Sequence, residues 1–226
     1  MEVYMKNQNV SPGEIIKIGK YDWRVLEVQK DRALLLSEYV IDWKAYSTKT
    51  EPELTWVGEY MDYKLLKVTW KDCTLRQYLN EEFFHSFGDQ EKSLILTVEN
   101  INENNQWNNT NGGDNTKDRI FLLSIAEIVK YFGDSKQLKK KQTWKVRGKL
   151  NEYQPWRYDI YFIDDEFNNK RKAFVKRDAD YWCEDWWLRS PGIENDRAAC
   201  ISREGCIIDK SVSTCKHVRP ALWLKL

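Results

Sequence analysis

YWCEDWWLRSPGIENDRAACISREGCIIDKSVSTCKHVRPALWLKL, residues Tyr181 to Leu226, decides the fold. Four short apolar runs lie between turns: Trp186–Arg189, Ala198–Ser202, Cys206–Asp209 and Val218–Leu224. Such runs, punctuated by turn residues, read as a small antiparallel sheet. Ser190-Pro191-Gly192 stops the first run, because proline cannot donate to a ladder and glycine accepts turn geometry. Arg203-Glu204-Gly205 reads as a tight hairpin loop with Gly205 in the left-handed position. Pro220 interrupts the last run, which predicts an edge strand or a bulge there. Arg189 and Arg219 sit among apolar residues, where a guanidinium either snorkels or needs a partner. At least one is expected to be buried on a carboxylate or on backbone carbonyls.

Upstream, Glu14–Ile18, Asp22–Val28 and Arg32–Ser37 read as a meander. Its first strand is expected to share a sheet, or lie in adjacent sheets, with Val218–Leu224. Tyr39–Lys71 is polar and aromatic, and Glu51–Lys67 within it follows neither period. Asp72 or Thr74 is expected to cap a helix reaching about His85, with Leu75, Tyr78, Leu79 and Phe83 at helical spacing. Asp89–Leu96 reads as a shorter helix and Leu96–Asn100 as a strand. Asn102–Asp118 is a loop dense in Asn, Gly and Asp. Arg119–Leu123 is a short buried strand. Ser124 and Glu127 form a capping box for a helix over Ile125–Phe132, which Gly133 ends. Gln137–Lys149 is a basic surface loop, and Phe162–Lys172 holds a helical turn. Met1–Pro12 reads as an extended or disordered lead-in to a single domain spanning residues 1–226.

WWLRSPG, a variable hairpin and then VRPALWL resemble the bacterial domain-of-unknown-function family 6273. GEIIKIGKYDWRVLEV (Gly13–Val28), ALLLSEYVI (Ala33–Ile41), CTLRQYLNEEFF (Cys73–Phe84) and RIFLLSIAEIVKYFG (Arg119–Gly133) resemble that family's other blocks. The resemblance covers most of the chain and implies no established activity. More remotely, WWLRSPG…VRP is similar to the core of C-type-lectin-like folds, including formylglycine-generating enzymes. The fold class expected is therefore α+β and C-type-lectin-like: an antiparallel sheet of short strands, two flanking helices and long loops.

The 226 residues carry 36 Lys+Arg against 35 Asp+Glu, a net charge of +1. That balance creates no global field favouring nucleic acid or an anionic membrane. No apolar run approaches the ~18 residues of a membrane span. Five scattered cysteines without a Cys-x-x-Cys pattern suit a reducing compartment better than a disulfide framework. The expected location is cytoplasmic, unless a secretion signal is missing or another export route is used. With 11 Trp and 12 Tyr, the aromatics read mainly as core, with a recognition surface as the other reading.

Chemistry has few places to reside. The two histidines are His85 and His217. Cys206 or Cys215 with His217 is the available thiol–imidazole pairing, against the plainer reading of small strand residues. Cys200, Cys206, Cys215 and His217 match no standard zinc spacing. The oxygen-rich loop offers Asn109, Asn111, Asp114 and Asp118 as Ca2+ ligands, although the EF-hand template fails there. Its alternative is a polar turn whose side chains bond their own backbone. The acidic clusters Asp164-Asp165-Glu166 and Glu184-Asp185 read as solvated turns. The loops between the last strands carry mixed charges and read as a contact face: Arg197, Arg203, Glu204 and Lys216, with Trp186 as an anchor if its ring is exposed. The function expected is a recognition module for a protein or carbohydrate ligand. A Cys/His-dependent hydrolase, or a structural domain of a phage-related or surface assembly, is the alternative.

Overall fold

The computed structural model describes residues 10–48, 53–57, 60–64, 67–139, 161–176 and 181–226. The expectations placed on residues 1–9 and on most of Gln137–Lys149 lie outside them. The chain begins as an antiparallel meander, β1 (Ile15–Ile18), β2 (Tyr21–Val28) and β3 (Arg32–Ser37). It then supplies β4 (Asp42–Ala45), an edge strand of a different sheet. The stretch without a clear period is a hairpin of β5 (Glu53–Val57) and β6 (Tyr60–Lys64).

Helix α1 (Thr74–Tyr78) continues into a π-helical turn, Leu79–Phe83. Its N-cap is Cys73, not Asp72 or Thr74, because the Cys73 Sγ accepts the Arg76 N–H at 3.4 Å. Asp72 instead accepts from the Thr69 hydroxyl at 2.9 Å, and Thr74 Oγ1 accepts the Thr48 N–H at 3.0 Å. After α2 (Asp89–Leu94) come β7 (Ile95–Leu96) and β8 (Val98–Asn100), so the expected second helix stops two residues early. β9 (Thr116–Asp118) returns against β8, and β10 (Ile120–Phe121) follows.

Helix α3 (Ile125–Phe132) has the capping box read from sequence. The Glu127 N–H donates to Ser124 Oγ at 3.2 Å, and the Ser124 N–H to Glu127 Oε2 at 2.7 Å. Ile125, Ile128, Val129 and Phe132 are its buried face. Beyond it lie β11 (Tyr161–Ile163), the helical turn α4 (Asn168–Arg171) and the ribbon β12 (Phe174–Lys176) with β13 (Tyr181–Cys183).

The C-terminal strands are β14 (Trp186–Pro191), β15 (Arg197–Ile201), β16 (Ile207–Ser211), β17 (Cys215–Val218) and β18 (Ala221–Lys225). They divide between two six-stranded sheets. The first runs β1-β2-β3-β18, with β10 and β7 sharing the outer side of β18. The second runs β11-β16-β15-β14-β17-β4 and is antiparallel except where Trp186 of β14 meets His217 of β17. The protein is thus a sheet-rich α+β structure with few helices, and its first and last described strands do share a sheet.

The last apolar run is neither an edge strand nor a bulge. Pro220 splits it, so that Val218 ends β17 in one sheet and Ala221 opens β18 inside the other. β3–β4 and β17–β18 lie antiparallel across both sheets, with Leu36 opposite Ala221 and Asp42 opposite Val218. The Ser37 N–H donates to the Pro220 carbonyl and the Ile41 N–H to the Val218 carbonyl, each at 2.9 Å. One two-stranded ribbon therefore folds over from sheet to sheet.

Arg219 occupies the crease and is 4% exposed. Its Nε donates to the Ser37 carbonyl at 2.9 Å and its Nη2 to the Glu38 carbonyl at 3.3 Å. Its guanidinium lies 5.1 Å from the Trp186 ring centre. Burial pulls its pKa down to about 10. Arg189 is buried too, with Nη1 on the Leu122 carbonyl at 2.8 Å and on the Glu127 carboxylate. Both arginines therefore meet the sequence expectation.

The core between the sheets is aromatic. Trp23, Trp70, Trp186, Trp187 and Tyr46 are each at most 1% exposed. Their polar atoms are bonded, as buried rings require: Trp186 Nε1 to the Arg171 carbonyl at 3.2 Å, Trp187 Nε1 to the Lys44 carbonyl at 3.0 Å, and the Tyr46 hydroxyl to the Arg189 carbonyl at 3.0 Å.

Arg219→Ala strips two buried carbonyls of their donor, at ~1–3 kcal/mol each. Urea unfolding should show a loss of about 3 kcal/mol or more, and Arg219→Lys should not restore it, because an ammonium lacks the two-pronged fork. A variant as stable as the parent refutes the role of the crease.

A pH dependence follows from Glu27 on β2. Hydrogen bonds from Lys130 at 2.6 Å and Tyr131 at 2.5 Å, both on α3, lower its pKa to about 2. A depressed carboxylate stabilises the fold above its unfolded pKa near 4.5 and loses that contribution as pH falls toward 2. The melting-temperature gap between the parent and Glu27→Gln should therefore be widest above pH 5 and close on acidification. A constant gap would contradict the linkage.

Candidate functional site: a polar cleft between two loops

The Asn-rich loop is clasped at its base by β8 and β9. Asp118 at the end of β9 has a fully buried side chain. It accepts from Trp70 Nε1 at 3.0 Å, Arg76 Nε at 2.6 Å, Asn100 Nδ2 at 2.9 Å and Thr116 Oγ1 at 2.7 Å. Inside the loop, Asn105 is 2% exposed. Its Oδ1 accepts the N–H groups of Trp107 (3.0 Å) and Asn108 (3.2 Å), an Asx turn. Its Nδ2 reaches across to the Pro191 carbonyl at 3.1 Å. At Gly112 any Cβ would sit 2.3 Å from the Glu103 carbonyl oxygen, so glycine is required there.

The loop leans on the β14–β15 turn. Thr110 Oγ1 donates to the Ile193 carbonyl at 2.7 Å. The Val68 N–H donates to the Asn195 carbonyl at 2.9 Å, and the Val212 N–H to that of Asp196 at 2.9 Å. Two regions read separately from sequence, the Asn-rich loop and Ile193–Arg197, thus meet. Between them opens a cleft of about 490 Å³ lined by Lys67, Asn109, Thr110, Asn111, Glu194 and Asn195 among others. Asn109 holds φ +57°, a conformation asparagine tolerates better than most residues. Its Oδ1 accepts Asn104 Nδ2 at 3.1 Å, and Asn111 Oδ1 accepts the Gly113 N–H at 2.9 Å. Those bonds use the oxygen of each amide and leave its NH2 group out.

The four Ca2+ candidates all have partners within the protein. Asp118 is enclosed by its four donors, Asp114 pairs with Lys71 at 2.6 Å, and the oxygens of Asn109 and Asn111 are taken within the loop. Among the described residues, no group of three or more His, Cys, Asp or Glu side chains is placed to hold a metal ion.

The charged contact residues divide as well. Arg197 opens β15 and grips Asp209 with Nε at 2.9 Å and Nη2 at 3.1 Å. Arg203 and Glu204 are exposed in the turn beyond the other end of β15. The Arg203 N–H and Lys216 Nζ both meet Asp185, at 2.8 and 2.9 Å. Trp186 and Trp187 are fully buried, so neither ring is an exposed anchor. Gly205 takes φ +88°, as its hairpin position demands.

Cys206 is buried, its Sγ 3.4 Å from Asp164 Oδ1 and 3.3 Å from Asn168 Nδ2. Burial pushes its pKa up to about 11, which keeps it a thiol near neutrality. Asp165, from the first acidic cluster, binds Arg171 rather than solvent. Sequence reasoning missed the third wall of the cleft, Lys67 to Thr69. It adjoins the stretch without periodicity, and nothing in its residue types marks it.

Fold and cleft together define an α+β protein whose two six-stranded sheets are joined by an arginine-held ribbon and which brings two polar loops together. The chain belongs to the family described as Domain of unknown function (DUF6273), whose model matches residues 30–226. That span contains both strands of the ribbon between the sheets and the buried arginines Arg171, Arg189 and Arg219. No curated protein and no solved structure matches the chain. No helix among the described residues is long and apolar enough to cross a membrane.

Asp118→Ala leaves the Arg76 guanidinium and three further donors without their acceptor. Chemical denaturation should register a loss of about 3–5 kcal/mol; a loss below ~1 kcal/mol would mean the base of the loop is held elsewhere.

Proposed function

We propose that the protein is a non-enzymatic recognition module on a C-type-lectin-like scaffold, and that the cleft between the Asn-rich loop and the β14–β15 turn takes a polypeptide segment. The carrying observation is the convergence of two polar loops on a rigid frame. Loops positioned by a scaffold are where binding concentrates. The frame here is β14 with its buried tryptophans, and both loops hydrogen-bond to its end or to each other.

The cleft's chemistry narrows the ligand. Asn109 and Asn111 present amide donors, and Lys67 adds an ammonium. These suit the carbonyl groups of an extended backbone. No aromatic ring is among the described lining residues, so a sugar has no stacking platform there. Lys67 and Glu194 balance in charge, which disfavours a strongly ionic ligand.

A peptide-array screen on the immobilised protein tests this. Hits should weaken about tenfold or more in Asn111→Ala with Asn195→Ala, the loss of hydrogen bonds together worth about 1.4 kcal/mol or more. They should be indifferent to Arg203→Ala. Hits that ignore the double change move the contact face elsewhere, and an array on which no peptide binds overturns the ligand class.

A further inference from the structure

A second opening lies along β4, at the edge of the second sheet. It is a groove of about 370 Å³ whose lining includes Trp43, Lys44, Thr48, Thr74, Tyr78 and Glu82. Trp43 is 61% exposed, whereas Trp23, Trp70, Trp186 and Trp187 are at most 1% exposed. The other polar groups fix what the groove can accept. Asp42 Oδ2 accepts the Tyr78 hydroxyl at 2.6 Å and lies 3.6 Å from Lys44 Nζ. That same ammonium sits 4.1 Å from the centre of the Tyr78 ring.

A cationic ligand would thus find the Tyr78 face already occupied by a like charge. An anionic ligand would meet the Glu82 carboxylate. Three groups stay available: the Trp43 indole, the exposed Glu82 carboxylate, which has no ion pair among the described residues, and the Thr74 hydroxyl, which accepts from the Thr48 N–H at 3.0 Å and keeps its own hydrogen. A flat apolar face beside carboxylate and hydroxyl groups matches a ring with an apolar C–H side and a rim of hydroxyls. We propose that the β4 groove is a binding site for a neutral carbohydrate, with the Trp43 indole as the stacking platform and Glu82 accepting from sugar hydroxyls. The site is separate from the loop cleft, and neither reading depends on the other.

The test is a panel of neutral oligosaccharides (gluco-, manno-, xylo- and N-acetylglucosamine oligomers) titrated calorimetrically into the full chain. At least one should bind. Trp43→Ala should weaken it tenfold or more, Trp43→Phe should retain part of the affinity, and Glu82→Gln should cost severalfold. Circular dichroism on each variant confirms the fold, which an exposed ring on an edge strand does not hold together. Asn111→Ala with Asn195→Ala should leave the affinity unchanged. The inference is overturned if no oligosaccharide of the panel binds, if binding ignores Trp43→Ala, or if it is lost only in the asparagine double variant.

Discussion

A cation buried in a crease between two sheets governs this molecule. A two-stranded ribbon that changes sheets must bend, and at the bend its carbonyls leave one ladder before joining the next. Buried carbonyls without donors are costly. Arg219 supplies donors to two of them from a single side chain, the Ser37 and Glu38 carbonyls, and its charge is met by the Trp186 ring rather than by a carboxylate. Pro220 beside it ends one strand and lets the next begin. The Arg-Pro pair is therefore a joint: the proline breaks the ladder and the arginine closes the gap.

Arg189 plays the corresponding part at the other end of the same frame. It ties β14 to the Leu122 carbonyl and to Glu127. Glu127 is also the capping-box acid of α3, so one carboxylate orders a helix start and binds the strand beneath it. The aromatic core fills the space these two joints enclose. Its indoles bond to carbonyls of other segments or, for Trp70, to the Asp118 carboxylate, which fixes the register as well as the volume.

Much of this was legible. The turn residues marked Gly205, the helix caps marked α3, and guanidinium groups set in apolar runs announced buried pairs. Two things were not. Pattern alone could not say that one apolar run serves two sheets, since the residues on both sides of Pro220 are apolar and only long-range pairing separates β17 from β18. Nor could residue type separate the asparagines that hold the loop from those that face the cleft. Asn105 and Asn111 look alike in sequence, and they differ because one amide donates across to Pro191 while the other accepts from Gly113 within its own loop. The apparent cation ligands fared likewise: Asp118 is an acid whose four donors come from across the chain, from Trp70 to Thr116.

The position of β18 carries a kinetic consequence. It fills the slot between β3 and the β10/β7 edge, yet it lies almost the length of the chain from β3. Until the two meet, Ala33 to Leu36, an unbroken apolar stretch buried on both faces, remains an unpaired strand edge. Bare apolar edges of this kind invite pairing between molecules. Because a loop of that size must close before the contact rewards it, the search is slow by nature. The architecture that makes the finished protein rigid thus leaves its nascent form exposed for longest at its most adhesive strand.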